Sequence, residues 1–194
     1  METITLASAS ARRSDILNQI RIPHIIAPQD VDESFDHQAD ARENAVRLAE
    51  DKLESCSRNW PESRWILAAD TFIVLEGEYI GKPDGRQEAK EMLLRFAGKT
   101  QRVITGVAIR SAALDKTLSR YAETDVTFGQ FGEDEADWYL DNEEWEGIAG
   151  AYRIQGLAAV LVDHISGSYS NVMGLPIHLI YGMLRTLNYQ FTAV

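Results

Sequence analysis

A single cysteine, Cys56, stands in 194 residues. No disulfide can therefore form within the chain, which fits a reducing compartment, and Cys56 reads as a packing residue of a helix. No apolar run approaches the ~20 residues that a bilayer-spanning helix needs. The first residues hold no basic segment followed by an apolar stretch and a cleavage site, so export is not expected and a cytoplasmic location is. Internal repeats, low-complexity tracts and long Gly/Ser linkers are all missing, so residues 1–194 read as one domain. Positive charge is scarce: 19 Lys and Arg face 30 Asp and Glu, a net charge of −11. Such a surface repels polynucleotide phosphates and disfavours duplex binding. It does not exclude a small phosphorylated ligand, because beyond a Debye length of ~8 Å local cations decide. Neither a P-loop pattern nor a GxGxxG pattern occurs. The four histidines (His24, His37, His164, His178) lack metal-ligand spacing and are assigned no role. Trp60, Trp65, Trp138 and Trp145 read as packing or interface residues.

What is present is a mixture of helices and strands. Residues 3–7 read as a strand and 11–20 as a helix. Residues 39–57 form a long helix with Ala41, Ala45, Leu48, Ala49 and Leu53 on one face. The stretch "WILAADTFIVLEGEYIG" reads as a buried strand followed by two short strands around a Glu76-Gly77 turn. Asp84 and Gln87 resemble a capping pair opening a helix over 86–97, which Gly98 closes. Residues 101–110 and 118–128 suit a long hairpin, "DEADWYLD" a short acidic helix, and 157–165 a further strand. Pro176 opens a final helix with Ile177, Ile180, Tyr181, Leu184 and Leu187 on its apolar stripe. Strict strand–helix alternation is absent, which predicts an α/β protein with a mixed, twisted sheet and flanking helices.

Several residues break the local rules, as functional residues tend to do. Asp70 ends the apolar run "WILAAD", where a carboxylate is costly unless it is paired, metal-bound or at a cleft. It either serves a site or simply emerges into a turn. Lys52 falls three, four and seven residues after Ala49, Leu48 and Ala45, on the apolar face of its helix; it either snorkels or is held there by a partner. Glu33, in the acidic loop "QDVDES", is either solvated or a ligand for a hard divalent cation. Lys82 is presented between Gly81 and Pro83 in "YIGKPDG". In "TLASASARRSDIL", a helix beginning near Ser10 to Arg12 directs backbone N–H groups and the positive end of its dipole at whatever sits there. Ser8 and Ser10 can donate to phosphate oxygens, and Arg12 and Arg13 are out of place at that end unless an anion offsets them. The alternative is Ser10 as an ordinary N-cap with solvated arginines. Together these residues are the inventory of a metal-bound polyphosphate site. One cation–phosphate contact near ~4 Å contributes on the order of 4 kcal/mol at an effective dielectric of ~20, before desolvation.

The segments "LASASARRSDIL", "DVDES", "LAEDK", "AADT", "GKP", "GKTQRVITGVAI", "AGAYRIQGLAA" and "NVMGLP" occur in this order from residue 6 to 176. In that order they resemble the Maf family of nucleoside triphosphate pyrophosphatases. The resemblance implies a mixed α/β fold with two lobes around a cleft, related to the inosine-triphosphate pyrophosphatases. It implies hydrolysis of a nucleotide between its α and β phosphates with a divalent metal, Mg²⁺ or Mn²⁺. It matches Asp70 to the family's proton acceptor, Glu33, Lys52 and Lys82 to its charged active-site positions, and Ser8 and Arg13 to its substrate loop. The specificity positions read Arg12, Thr71 and Gln155, the combination of the dTTP/UTP-hydrolysing branch, with CTP or modified pyrimidines as further substrates. A homodimer is also implied. Two departures stand out: Ala11 replaces a proline common before the paired arginines, and Arg153 replaces a glycine common in the segment before Gln155.

The expected chemistry is metal-assisted hydrolysis. Glu33 and Asp70 would hold the cation, Asp70 would take the proton of an attacking water, and Lys52, Lys82 and Arg13 would steady the phosphates. Arg12, Thr71 and Gln155 would read the base. The family's link to division arrest and nucleotide-pool cleansing leaves one rival, a nucleotide-binding regulator of septum formation that does not turn its ligand over. Pyrophosphate release separates the two.

Overall fold

A computed structural model describes every residue of the chain except Phe35, His37, Gln38, Ala193 and Val194; the assignment made for His37 therefore lies outside the described residues. The chain forms two compact units. One comprises residues 1–71, 105–122 and 174–194; the other comprises 72–104 and 123–173. A seven-stranded mixed sheet with flanking helices confirms the α/β expectation, with strand order β2-β1-β3-β5-β6-β7 and β4 paired to β3.

In the first unit, β1 (Ile4–Leu6) lies parallel to β2 (His24–Ile26) on one side and to β3 (Trp65–Leu75) on the other. Parallel neighbours need long crossovers, and these are α1 (Ala11–Gln19) and α2 (Ala41–Asn59). The start of α2 is fixed by a capping box that the sequence reading did not single out. Asp40 accepts from the backbone N–H groups of Arg42 and Glu43, and Glu43 accepts from that of Asp40. The face of α2 carrying Ala49, Leu53 and Cys56 packs with Ala7, Ala27, Ile66, Ala68 and Ala108. These small side chains draw helix and sheet close together. The approach is tightest at Gly106, on β5 (Thr100–Ser111), where an added Cβ would lie 2.0 Å from the Ala45 carbonyl oxygen. The unit is completed by α6 (Ile177–Thr186), with Pro176 at its N-cap as expected. Its buried residues are Ile180, Met183 and Leu184, whereas Tyr181 stands exposed beside Phe191.

The second unit holds β4 (Glu78–Ile80), α3 (Arg86–Phe96), α4 (Glu133–Leu140), β7 (Val162–Ser166) and the short α5 (Tyr169–Val172). Its core centres on Phe96, Phe128 and Tyr152, with Phe96 stacked on Phe128 at 5.2 Å and Tyr152 edge-on to Phe128 at 5.1 Å. The Glu76-Gly77 turn is as expected, with φ of 52° and 86°, the left-handed pair that a tight hairpin requires. β7 runs antiparallel to β6 (Lys116–Phe128), with a register shift at Thr127/Phe128.

Three expectations are corrected. The buried strand ending at Asp70 and the short strand expected before the Glu76-Gly77 turn are one continuous strand, β3, whose Ile73, Val74 and Leu75 pair with β4. The Asp84/Gln87 cap does not form: Gly85 is the N-cap of α3, and Glu88 accepts from the Asp84 N–H. Residues 157–161 coil into a 3-10 turn before β7 begins at Val162. Alternation of side chains along a short segment does not distinguish these two conformations.

Gly106→Ala is expected to cost about 2 kcal/mol or more, since backbone must move to admit the methyl group, and to lower Tm by roughly 5 °C. Thermal unfolding followed by circular dichroism tests this, and an unchanged Tm would refute the close approach. Burial pushes the Cys56 thiol up from 9.0 to about 11. Cys56 should therefore resist a thiol-specific disulfide reagent at pH 8 in the native protein and react once unfolded. As pH rises from about 9 to 11, the unfolded thiol loses its proton while the folded one keeps it. This residue's contribution to stability should then fall across that window.

Candidate active site

The turn after β1 is built around one arginine. Ser8, buried, accepts the Ser10 N–H at 3.2 Å and the Arg13 Nη1 donor at 3.0 Å. Ser10 occupies the N-cap of α1, yet its hydroxyl makes no capping hydrogen bond, and the first turn of α1 contains no acidic residue. The backbone N–H groups of that turn thus have neither a side-chain cap nor a local carboxylate, as a helix end built for an exogenous anion would. Arg13 is buried. Its Nε donates to the Gly174 carbonyl at 2.8 Å, and its Nη2 donates to Thr71 Oγ1 at 3.1 Å. Thr71 Oγ1 lies 3.0 Å from Thr105 Oγ1. Gly174 can serve because its φ of 98° suits glycine, and an added Cβ would meet Thr71 Oγ1 at 3.3 Å. Burial lowers the Arg13 pKa, and the carboxylates of Asp70 and Glu33 act against that shift. Arg12, its neighbour, is only half-buried. Of the two sequence alternatives, solvated arginines are therefore excluded for Arg13.

The second cluster centres on Lys52. Its position on the apolar face of α2 makes it buried, at 8% exposure, and it does not snorkel. Its Nζ contacts Asp70 Oδ1 directly and lies 2.6 Å from Glu33 Oε1. Asp70 is likewise 8% exposed, whereas Glu33 is exposed on its loop. Removing an ammonium and a carboxylate from water is costly, and each here offsets the other's burial. Two carboxylates converging on one cationic point are also the hard oxygen donors that Mg²⁺ or Mn²⁺ accepts. Among the described residues no group of three His, Cys, Asp or Glu assembles. Any such cation would therefore take its remaining ligands from water or substrate, the usual arrangement in phosphate chemistry.

In the second unit Lys82 is exposed at the end of β4. Its loop is anchored where the Gly81 carbonyl accepts the Gly150 N–H at 2.9 Å. Gly150 has φ of 72°, and a Cβ there would lie 2.7 Å from Ile73 Cδ1. The same segment leads to Arg153 and Gln155, both exposed. The Arg153 N–H donates to the Tyr139 hydroxyl at 3.0 Å, and burial raises that phenol to about 12. Arg153 thus fits where the family has glycine because its side chain points to solvent.

Eight of the predicted residues thus lie in the first unit (Ser8, Ser10, Arg12, Arg13, Glu33, Lys52, Asp70 and Thr71), and two in the second (Lys82 and Gln155). Thr105 and Gly174 were missed. Thr105 carries a signal in retrospect, as a polar residue inside the apolar run "VITGVAI" that the fold buries completely.

The family model described as "Maf-like protein" matches residues 3–187. The chain belongs to the Maf family. Its relatives include proteins named dTTP/UTP pyrophosphatase. The one from Symbiobacterium thermophilum is 41% identical over 189 residues, covering 97% of this chain and 96% of that protein. The one from Pyrococcus furiosus is 39% identical over 185 residues, covering 95% of each. A Bacillus cereus relative of the same name is 38% identical over 192 residues, covering 99% of this chain and 93% of its own. Among solved structures, the Staphylococcus aureus Ham1 protein aligns with a TM-score of 0.54 at 15% identity, covering 96% of this chain and all of that one. That likeness is one of fold alone. Among the described residues of this Maf protein, no helix is long and apolar enough to cross a membrane.

Lys52→Met leaves the buried Asp70 carboxylate without its ammonium and is expected to cost about 3–5 kcal/mol, a Tm loss of roughly 10 °C. Adding Asp70→Asn should recover much of that loss, since the unpaired charge is then gone. Thermal melts of the two single variants and the double variant decide it; additive losses would rule out the coupling.

Proposed function

We propose that this Maf protein is a nucleoside triphosphate pyrophosphatase that hydrolyses dTTP and UTP, with CTP or modified pyrimidine nucleotides as further substrates, to the monophosphate and pyrophosphate. The observation that carries this reading is the Asp70–Lys52–Glu33 cluster, in a chain 38–41% identical, over nearly its whole length, to relatives bearing that name. A module that only binds has no need of a carboxylate oriented by a buried ammonium, so no observation favours the septum-regulator alternative.

In this reading Asp70 is the general base. Lys52 on Oδ1 fixes the carboxylate's orientation, and the second oxygen takes the proton from the attacking water. The water oxygen bonds to phosphorus as the bond to the bridging oxygen breaks, and pyrophosphate leaves. Glu33 and Asp70 would hold a divalent cation, Mg²⁺ or Mn²⁺, which when bound neutralises phosphate charge and makes water a stronger acid. Reactions of this type depend mainly on positioning and electrostatics. Ser8, Ser10 and the uncapped first turn of α1 fit the triphosphate, and Arg13 holds that turn in place while lending its charge. Lys82 is assigned to phosphate, and Arg12, Thr71 and Gln155 to the base, on the strength of the family motifs. The chain is proposed to work as one Maf-like domain, residues 1–194, in the cytoplasm and as a homodimer.

Asp70→Asn keeps the shape of the side chain and removes the base. Pyrophosphate release from dTTP or UTP with Mg²⁺ or Mn²⁺ should fall by about 10²–10⁴-fold, while the melting profile stays cooperative. Near-normal turnover by this variant would sink the assignment.

A further inference from the structure

The hydroxyl of Thr71 is held from two sides by residues of its own unit. Arg13 Nη2 lies 3.1 Å from Thr71 Oγ1, and Thr105 Oγ1 lies 3.0 Å from the same atom. A threonine hydroxyl has one proton and two lone pairs, whereas a guanidinium only donates. One lone pair of Thr71 is therefore already used. The contact with Thr105 uses either the other lone pair or the proton. If Thr105 donates, Thr71 has only its proton left to offer a third group. If Thr71 donates, it has only a lone pair left. The direction of this one hydrogen bond thus sets whether Thr71 meets a ligand as donor or as acceptor.

Burial separates the two threonines. Thr71 is half-buried, whereas Thr105 is fully buried in β5 and meets no solute directly. We infer that Thr105 is a positioning residue that donates to Thr71 Oγ1, fixing Thr71 as a hydrogen-bond donor toward the base and favouring the 4-carbonyl oxygen of uracil and thymine over the 4-amino group of cytosine. The inference rests on the proposed reading of Thr71 as a base-reading residue. The remaining Arg13 bonds, to Ser8 and to the Gly174 carbonyl, tie the same guanidinium to the turn after β1 and to the segment before α6. Thr71 is therefore set against a rigid frame, and the selectivity belongs to the frame as much as to Thr71. A site that hydrogen-bonds one base edge discriminates against another because the mismatched pairing leaves buried polar groups without partners.

The test is steady-state pyrophosphate release from UTP and from CTP. Thr105→Val keeps the branched shape of a strand residue and removes only the hydroxyl. It should raise KM for UTP by about three- to tenfold, the worth of one hydrogen bond. It should narrow the UTP-to-CTP ratio of kcat/KM by a similar factor, because the freed Thr71 hydroxyl can then turn a lone pair outward. Thr105→Ser should restore both. A wild-type ratio in Thr105→Val overturns the inference, as does an equal loss of kcat for the two nucleotides, which a merely structural residue would give. If Thr105→Val does not fold, Thr105→Cys, a weaker donor of similar size, should give an intermediate ratio, and a wild-type ratio there also overturns it. Thr71→Val separates the two levels. An unchanged ratio in Thr71→Val removes the base-reading role and the inference with it, whereas a shifted ratio there with none in Thr105→Val removes the role of Thr105 alone. If both act on one contact, adding Thr105→Val to Thr71→Val should change the ratio no further.

Discussion

A buried lysine ammonium that meets the buried carboxylate of Asp70 and the exposed carboxylate of Glu33 is the constraint on which the first unit depends. Lys52 could have sent its head group to water, and an isolated amphipathic helix would let it do so. In the folded protein α2 packs on the sheet through small residues, with Gly106 against the Ala45 carbonyl, and Lys52 is buried at 8% exposure. Asp70 and Glu33 meet it. A buried ion pair of this kind adds little net stability compared with an apolar pair of similar shape. Stability alone therefore does not account for its presence in the fold.

Arg13 organises the turn after β1 in a comparable way. Three protein acceptors from three separate segments fix its guanidinium, and none of them is a carboxylate. Its charge is therefore not neutralised by direct contact, and the fields of Asp70 and Glu33 reach it only from further away. A cation fixed in this manner beside an uncapped helix start sustains a positive potential at low reorganisation cost, which is the arrangement that phosphoryl chemistry exploits. The acidic surface, with net charge −11, does not oppose it, because exposed charges more than a Debye length of ~8 Å away are largely screened.

Much of this was legible in the sequence. Lys52 showed itself by spacing alone, since a lysine three, four and seven residues after apolar positions has to share their face. The strands and helices that follow strong periodicity, such as α2 and the β5–β6 pair, were likewise readable. Misreadings fell where local sequence underdetermines conformation. The continuation of β3 past Asp70 depends on a partner strand that pairs with it, and the 3-10 turn at 157–161 has the same apolar pattern as a strand. The capping box of α2 was missed even though Asp40 and Glu43 stand at the right spacing.

The sequence by itself determined the fold class, the mixed sheet, the identity of the charged residues and, through eight ordered segments, the family. Those properties follow from residue types and their spacing along the chain. Only the tertiary structure decided which charge meets which: that Lys52 bridges Asp70 and Glu33, that Arg13 turns inward, and that Thr105 stands behind Thr71. These pairings join residues 18 to 161 positions apart. Spacing along the chain carries no information on such contacts, because the packing of α1, α2 and the sheet is what brings them within hydrogen-bonding distance.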